Sequence, residues 1–147
     1  MMKRFGERPV SGVVYRRRPG AYGVILDGRG RALIAMNESP GEEFALPGGG
    51  IDPGETPVRA LHREAMEETG WRIGVLARVG VYKRFTYMPE YDMWAEKICR
   101  IYLCRAGRRV AEPTEPDHQP LWVDVEVARD LLSVDGDRAM FARAVGI

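Results

Sequence analysis

Apolar residues near the N-terminus follow a strand-like pattern that is interrupted by turn chemistry. The run Ala21 to Leu26 is apolar, the run Arg31 to Met36 resumes the apolar pattern, and Asp27-Gly28-Arg29-Gly30 lies between them. Aspartate and glycine between two apolar runs are typical of a tight connection between antiparallel strands. The pattern therefore predicts a β-hairpin.

A helical period takes over between Pro57 and Thr69. Thr56 can cap the helix with its hydroxyl, Pro57 suits the first helical position, and Gly70 supplies the left-handed residue that ends it. The apolar stripe that we expect to face a sheet consists of Val58, Leu61 and Ala65. We therefore predict a helix from about Pro57 to Thr69.

Downstream of this helix, strand-like segments lie in Arg72 to Tyr87 and in Trp94 to Arg105. Leu121 to Val123 predicts another strand, Val125 to Leu132 predicts a helix, and Asp137 is expected to cap a last helix. Strands interleaved with two or three helices predict an α/β sandwich. Because no repeat or linker divides the 147 residues, we expect a single domain over residues 1–147.

Composition restricts the partners. The chain has 22 Lys and Arg against 21 Asp and Glu, so no global field recruits nucleic acid or an anionic membrane. The first residues are charged and have no apolar segment behind them, so we expect neither a signal peptide nor a membrane anchor, and a cytoplasmic location. A small molecule is the expected partner, and the sequence is also compatible with a homodimer.

The cysteines and histidines do not indicate a disulfide or a zinc site. Cys99 and Cys104 are an odd number of residues apart along a predicted strand, which points them to opposite faces. They are therefore interpreted as reduced thiols. His62 and His118 lack metal-ligand spacing with a cysteine or with each other, so zinc is not expected.

The predicted helix carries three carboxylates beside its buried stripe. Glu64, Glu67 and Glu68 fall in one sector, because spacings of three and four return to the same face. Like charges at this spacing cost roughly 0.2–0.5 kcal/mol per pair in an isolated helix. A hard divalent cation such as Mg²⁺ would offset the repulsion. A solvated acidic face is the alternative interpretation.

The residues around these glutamates resemble a known motif. Gly49, five residues, Glu55, seven residues and then Arg63-Glu64-Ala65-Met66-Glu67-Glu68-Thr69-Gly70-Trp71 reproduce the Nudix box, G-x5-E-x7-R-E-U-x-E-E-x-G-U, in which U is a bulky apolar residue. Ala65 and Trp71 occupy the two U positions and are respectively smaller than usual and aromatic instead of aliphatic. The segment Leu46-Pro47-Gly48-Gly49-Gly50 also resembles the family's usual lead-in.

The resemblance implies the Nudix fold, a mixed β-sheet between α-helices, and Mg²⁺- or Mn²⁺-dependent hydrolysis of a pyrophosphate linkage. The implied substrate is a nucleoside diphosphate joined to another group. Glu67 and Glu68 would be direct metal ligands, and Glu64 would be a ligand or the general base. The resemblance also suggests that Glu55 and Arg63 brace the glycine-rich loop against the helix.

Further site residues are expected outside the helix. Main-chain groups of Gly49 and Gly50 are free to approach a metal and a substrate phosphate, respectively. In the family a glutamate from the region before the last strand often joins the metal site. Glu115 is the preferred match here, and Asp117 remains the alternative.

Substrate selection has weaker sequence signals. Arg18, in the run Arg16-Arg17-Arg18, is expected to reach a phosphate, although such a run is also typical of a solvated strand end. Tyr87 is similar in position to the tyrosine that marks Nudix enzymes of dinucleoside polyphosphates, and a core tyrosine is its alternative. The connection Met88 to Met93 is interpreted either as a loop near the site or as an ordinary hairpin loop.

Two other functions remain open from the sequence. One is a house-cleaning nucleoside triphosphate pyrophosphatase that acts on oxidised nucleotides. The other is a nucleotide-binding sensor without turnover, which is disfavoured because Glu64, Glu67 and Glu68 are all present. Mononucleotide plus pyrophosphate as products would indicate the triphosphatase, and binding without product would indicate the sensor.

Overall fold

The computed structural model of the chain describes residues 2–38 and 42–147. The strands within these ranges are β1 Lys3–Arg4, β2 Arg16–Leu26, β3 Arg31–Asn37, β4 Glu43–Ala45, β5 Gly48–Gly50, β6 Trp71–Met88, β7 Met93–Arg109 and β8 His118–Asp124. The helices are α1 Pro57–Thr69, α2 Val125–Leu131 and α3 Asp135–Val145, and a 3₁₀ turn spans Pro89–Tyr91.

Strand β2 lies at the centre of a mixed sheet whose main order is β1-β6-β7-β2-β3-β4. One edge of β2 runs parallel to β7 along its whole length. Its other edge pairs antiparallel first with β5, through Ala21 and Gly49, and then with β3, through Ile25 and Leu33. The predicted hairpin of β2 and β3 is confirmed, and the change of partner along β2 opens the sheet beside the glycines.

The helices cover both faces of the sheet, which confirms the predicted sandwich. Helix α1 packs Ala60, Leu61 and Ala65 against one face. Helices α2 and α3 pack on the other face, where Phe141 is fully buried. Alternation along β7 sends neighbouring side chains into these two cores.

The two cysteines follow this alternation. Cys99 lies in the core beneath α2 and α3, and Cys104 lies in the core beneath α1. Both are buried free thiols, and burial raises the pKa of each. The prediction of reduced thiols on opposite faces is confirmed.

Helix α1 begins and ends where the sequence predicts. The Thr56 hydroxyl accepts a hydrogen bond from the Arg59 amide at 3.2 Å, and Gly70 ends the helix at φ 76°. The predicted apolar stripe needs one correction. Val58 is 36% exposed, and Ala60 takes its place in the core, because Ala60, Leu61 and Ala65 are the side chains of α1 that pack into the cluster against the sheet.

Three other predictions change. Gly48 to Gly50, expected to be a loop, forms the short strand β5, because β2 offers a free edge there. Arg72 to Tyr87 is part of one long strand with register shifts instead of separate segments. Asp137 does not cap α3. The N-cap is Val134, and Asp137 is buried, where it accepts hydrogen bonds from the Tyr82 hydroxyl at 2.6 Å and the Leu46 amide at 3.4 Å.

Among the described residues, no helix has both the length and the apolar character that crossing a membrane requires.

Candidate active site

A cavity of about 570 Å³ opens where β2 exchanges β5 for β3. Glycines 48 to 50 and the carboxylates of Glu64 and Glu68 line one side. The end of the β6–β7 hairpin, from Thr86 to Tyr91, lines the mouth. This volume lies within the usual range for sites that hold small molecules and cofactors.

Arg63 fixes the segment before the helix to the helix itself. Its Nε and Nη2 donate to the two Glu55 carboxylate oxygens at 2.8 and 2.9 Å, which is a bidentate pair. Nη2 also donates to the Gly50 carbonyl at 3.0 Å. The hydrogen bonds from Arg63 and from the Asp52 amide lower the pKa of Glu55 to about 2. Glu55 and Arg63 thus have the bracing geometry that the resemblance suggested.

This network also changes the expectation for Gly50. Its carbonyl already accepts a hydrogen bond from Arg63. This oxygen therefore holds the glycine segment to the helix and is not a free group for a substrate. Gly50 still lines the cavity, where an approach of substrate to its main chain remains a prediction.

Glu68 is the most enclosed of the three helix carboxylates. Its side chain is buried, with the residue 5% exposed, and one oxygen accepts a hydrogen bond from the Gly48 amide at 3.0 Å. Burial raises the pKa of Glu68 well above its ordinary value, against the lowering effect of the Gly48 hydrogen bond. The charges of Glu64 and Glu115 raise it further. A buried carboxylate beside other carboxylates is a site that favours a cation.

Glu64 lies against the backbone of Gly49. A β-carbon added to Gly49 would come within 2.5 Å of the Glu64 carboxyl carbon. Only glycine leaves room for the carboxylate at this point. Burial raises the pKa of Glu64, although the hydrogen bond from Arg63 at 3.0 Å opposes the shift.

Glu67 and Glu115 meet at the C-terminal half of α1. The Glu67 carbonyl accepts from the Thr114 and Glu115 amides at 2.8 and 3.2 Å, which ties the loop before β8 to the helix. Glu115 lines the cavity, and its charge raises the pKa values of Glu64 and Glu68. Asp117 does not line the cavity. The structure therefore places the preferred acid, Glu115, and not its alternative, beside the helix glutamates.

The predicted substrate residues gather at the cavity mouth. Arg18 lines the cavity and stacks its guanidinium on the Tyr91 ring at 4.6 Å. Tyr87 is 40% exposed, so the core alternative is wrong. Its hydroxyl donates to Asp92, and its ring lies 5.1 Å from the Trp94 ring. Met88 to Met93 is both a hairpin connection and a border of the cavity.

The connection between β3 and β4 is described only in part. Residues 39–41 lie outside the described ranges. Asn37 and Glu43 are paired at the ends of β3 and β4, and both line the cavity.

Sequence reasoning missed several cavity residues. Lys97, Arg84 and Tyr22 line the inner part, and His118 lines the part near Glu115. The Nδ1 atom of His118 is buried and has no hydrogen-bond partner within the described residues. Strand alternation is the signal that would have found Lys97, since it is two residues from Cys99 and therefore on the same face.

A sequence profile of the NUDIX domain matches residues 16–144. The chain belongs to the Nudix family. A curated Nudix relative, the nucleoside triphosphatase NudI of Enterobacter sp. (strain 638), is 33% identical over 81% of this chain and 91% of its own length. An oxidized purine nucleoside triphosphate hydrolase of Danio rerio is 31% identical over 70% of this chain and 64% of its own length.

Other comparisons differ in how much they cover. The chain spans 60% and 41% of the lengths of two further curated relatives. Among solved structures, a Nudix hydrolase from Nitrosomonas europaea has a TM-score of 0.71 at 14% identity, over 89% of this chain and 90% of that one. This likeness confirms the Nudix fold that the resemblance implied.

The Nudix carboxylates fit a hard divalent cation by their chemistry. Glu64 and Glu68 are desolvated, and the neighbouring carboxylates raise their pKa values, so a cation here would relieve both burial and repulsion. Across residues 2–38 and 42–147, no three His, Cys, Asp or Glu side chains already converge as a closed metal cage would. An open arrangement suits Mg²⁺, which keeps several waters and takes substrate oxygens beside one or two carboxylates.

The Glu55–Arg63 pair predicts a specific acid response. Because the folded pKa of about 2 is below the ordinary 4.5, ionised Glu55 stabilises the fold at neutral pH. This stabilisation is lost as pH falls from about 4.5 to about 2. We expect Glu55→Gln to lower the free energy of unfolding at pH 7 and to flatten its decline in this window, as measured by urea unfolding at several pH values.

A matched control is Glu126→Gln, which alters an exposed glutamate on α2. This variant is expected to keep the wild-type pH profile. Superimposable profiles of Glu55→Gln and wild type would show that Glu55 does not brace the fold.

Proposed function

We propose that this Nudix protein hydrolyses a pyrophosphate linkage in a nucleotide derivative with the help of Mg²⁺ or Mn²⁺. One observation supports this most strongly. Buried Glu68 is held by the Gly48 amide, with Glu64 and Glu115 beside it, in the wall of a cavity large enough for a nucleotide. Carboxylates collected in this way beside a cavity have no evident structural use, because the charges of Glu64 and Glu115 raise the pKa of Glu68 and the charge of Glu115 raises the pKa of Glu64.

The residues divide into ligands and supports. Glu67 and Glu68 are proposed to hold the metal, with Glu115 and the Gly49 carbonyl completing its protein ligands. When bound, the divalent ion neutralises phosphate charge and favours ionisation of a water. Arg63 and Glu55 act on the reaction only through position, since their contacts fix the backbone on which the ligands lie.

Glu64 is proposed to act as a ligand or as the general base. The raised pKa of Glu64 suits a general base, because a carboxylate whose pKa is closer to physiological pH accepts a proton more readily. The Arg63 Nη1 donates to the Glu64 carboxylate at 3.0 Å and holds it against Gly49. This contact sets the direction from which Glu64 can accept a proton.

A nucleoside triphosphate is the favoured substrate class. The relative of which this chain covers 91% is named a nucleoside triphosphatase, and another is named for oxidized purine nucleoside triphosphates. This proposal promotes the alternative that the sequence left second. The triphosphate would be cleaved to a mononucleotide and pyrophosphate.

Dinucleoside polyphosphates remain the second candidate because of Tyr87. The ring is exposed beside the cavity mouth and is oriented by its contacts with Asp92 and Trp94. An exposed aromatic ring here offers a surface on which a base can stack, an interaction worth roughly 1–3 kcal/mol in single-stranded nucleic-acid complexes.

Product analysis tests the proposal. The purified protein is incubated with Mg²⁺ and, separately, with nucleoside triphosphates, dinucleoside polyphosphates, ADP-ribose and nucleotide sugars. We expect mononucleotide and pyrophosphate from the triphosphates at the highest kcat/KM. Two phosphorylated nucleotide products at higher kcat/KM would support the dinucleotide candidate. Nucleotide binding by calorimetry without product from any substrate would indicate a sensor and contradict the proposal.

A further inference from the structure

Three basic side chains lie next to one another along the cavity, from Arg18 at its mouth to Lys97 and Arg84 in its inner part. In the sheet register, Lys97 of β7 is opposite Arg18 of β2 on one side and opposite Arg84 of β6 on the other. All three residues line the cavity. We refer to Arg18, Lys97 and Arg84 as the basic row.

The cations of the basic row have no ion pair among the described residues, whereas cations on the other face of the same strands do. On that face, Glu96 of β7 pairs with Arg17 of β2 at 3.3 Å and with Lys83 of β6 at 3.7 Å. On the cavity face, Lys97 is the residue of β7 that lies between the basic residues of β2 and β6. It is a third cation, whereas Glu96 on the other face is an acid. On the face away from the cavity, Glu96 therefore neutralises the basic residues of the two neighbouring strands. On the cavity face, no acid among the described residues forms an ion pair with the basic row.

Such a row destabilises the free protein. Like charges on directly opposite residues of neighbouring strands repel. Lys97 is half-buried, and burial together with the charge of Arg84 lowers its pKa. Its ammonium lies 5.8 Å from the Tyr22 ring, which is a weak contact for a desolvated cation. An anion in the cavity would offset both the repulsion and the lost hydration.

The nearby acids do not fill this role. Asp137 and Glu90 are the carboxylates whose charge acts on Lys97. Asp137 accepts hydrogen bonds from Tyr82 and Leu46, and burial raises its pKa. Glu90 is exposed on the 3₁₀ turn. Neither forms an ion pair with a member of the basic row within the described residues.

We propose that the basic row binds phosphate groups of the substrate that lie beyond the cleaved linkage. Arg18 lies next to the glycines in the cavity wall, because its guanidinium is 3.8 Å from the position that a Gly50 side chain would take, and Glu64 lies against the neighbouring Gly49. Because Glu64, Glu68 and the basic row line the same cavity, a polyphosphate chain whose cleaved linkage lies at the glutamates can extend past Arg18 towards Lys97 and Arg84. The row then selects substrates with three or more phosphates over diphosphates.

This inference rests on the proposed function, since it takes the glutamates as the place of cleavage. Its chemistry is distinct, however. Lysine and arginine only donate hydrogen bonds, and a hydrogen bond between charged groups is stronger than one between neutral groups. Removing one member should therefore weaken the binding of a polyphosphate by about tenfold or more.

The test measures binding without metal and without turnover. Calorimetry follows tripolyphosphate and pyrophosphate binding to metal-free wild type, Lys97→Met, Arg84→Met and the control Lys83→Met. We expect the first two variants to weaken tripolyphosphate binding about tenfold or more, and the control, on the opposite face, to match wild type. Lys97→Arg should retain most of the binding. Equal affinity of wild type and both row variants for tripolyphosphate would overturn the proposal.

A kinetic comparison separates the basic row from recognition of the base. We expect Lys97→Met to reduce the preference for a nucleoside triphosphate over the matching diphosphate and to leave the preference among bases unchanged. A changed base preference with an unchanged phosphate preference would contradict the proposal and assign the row to the nucleobase. If no nucleotide is hydrolysed, the proposed function fails, and the calorimetry still decides whether the row binds phosphate.

Discussion

Glu68→Gln is expected to lower turnover by about 100-fold or more, because even the residues that support metal ligands usually contribute 10–100-fold. The glutamine is nearly the same size, and its amide oxygen can still accept the hydrogen bond from Gly48 that Glu68 accepts at 3.0 Å. The fold should therefore persist while one charged ligand is lost. Steady-state pyrophosphate release and thermal unfolding, measured on the same samples, check both parts.

Glu68→Gln is also expected to change the thermal stability of the protein. Because burial raises the folded pKa of Glu68, ionised Glu68 destabilises the metal-free fold at pH above its unfolded value. Metal-free Glu68→Gln should thus unfold at the same or a higher temperature than wild type at pH 7. It should also lose most of the stabilisation that Mg²⁺ or Mn²⁺ gives to wild type. An activity equal to that of wild type would contradict the metal-site assignment.

Gly49→Ala is expected to reduce activity strongly with little loss of stability. The new β-carbon would lie 2.5 Å from the Glu64 carboxyl carbon, which is too close, so the carboxylate must move. Because that carboxylate is the end of a flexible side chain, the displacement costs about 1 kcal/mol. A shift of this size at a catalytic group can nevertheless cost about 100-fold in rate. Turnover and urea unfolding, measured in parallel, would separate the two effects.

Gly74→Ala provides the matched control. Gly74 lies on β6, and a β-carbon there would meet no atom within 4 Å. This variant should keep wild-type activity, with equal or slightly higher stability, since alanine orders the chain more than glycine does. If Gly49→Ala were as active as Gly74→Ala, Glu64 would not depend on its place against Gly49.

Interactions between residues close in sequence made helix α1 and the Glu55–Arg63 pair predictable. Thr56, Pro57 and Gly70 define the ends of α1 through interactions within a few residues, and these ends are as predicted. The spacing of Glu55 and Arg63 belongs to the same short segment, and their bidentate contact has the expected geometry. The opposite placement of Cys99 and Cys104 followed from strand alternation alone.

Features that depend on strand pairing were not predictable in this way. The basic row exists because β2, β7 and β6 meet in one register, and no local pattern fixes which of their residues are opposite. Gly48 to Gly50 became a strand because β2 offers a free edge. Asp137 was wrongly predicted to cap α3 because its hydrogen-bond partner Tyr82 is distant in sequence. In the structure the Asp137 carboxylate accepts from the buried Tyr82 hydroxyl and not from an amide at the start of the helix.

The Mg²⁺ dependence of cleavage by wild type and Glu68→Gln tests the proposed metal site most directly. A nucleoside triphosphate is incubated with each protein, with Mg²⁺ or with the metal removed, and mononucleotide and pyrophosphate are quantified by ³¹P NMR. We expect both products from wild type only when Mg²⁺ is present, and at least about 100-fold less from the variant. Equal product formation by both proteins, or cleavage by wild type without a divalent metal, would contradict it.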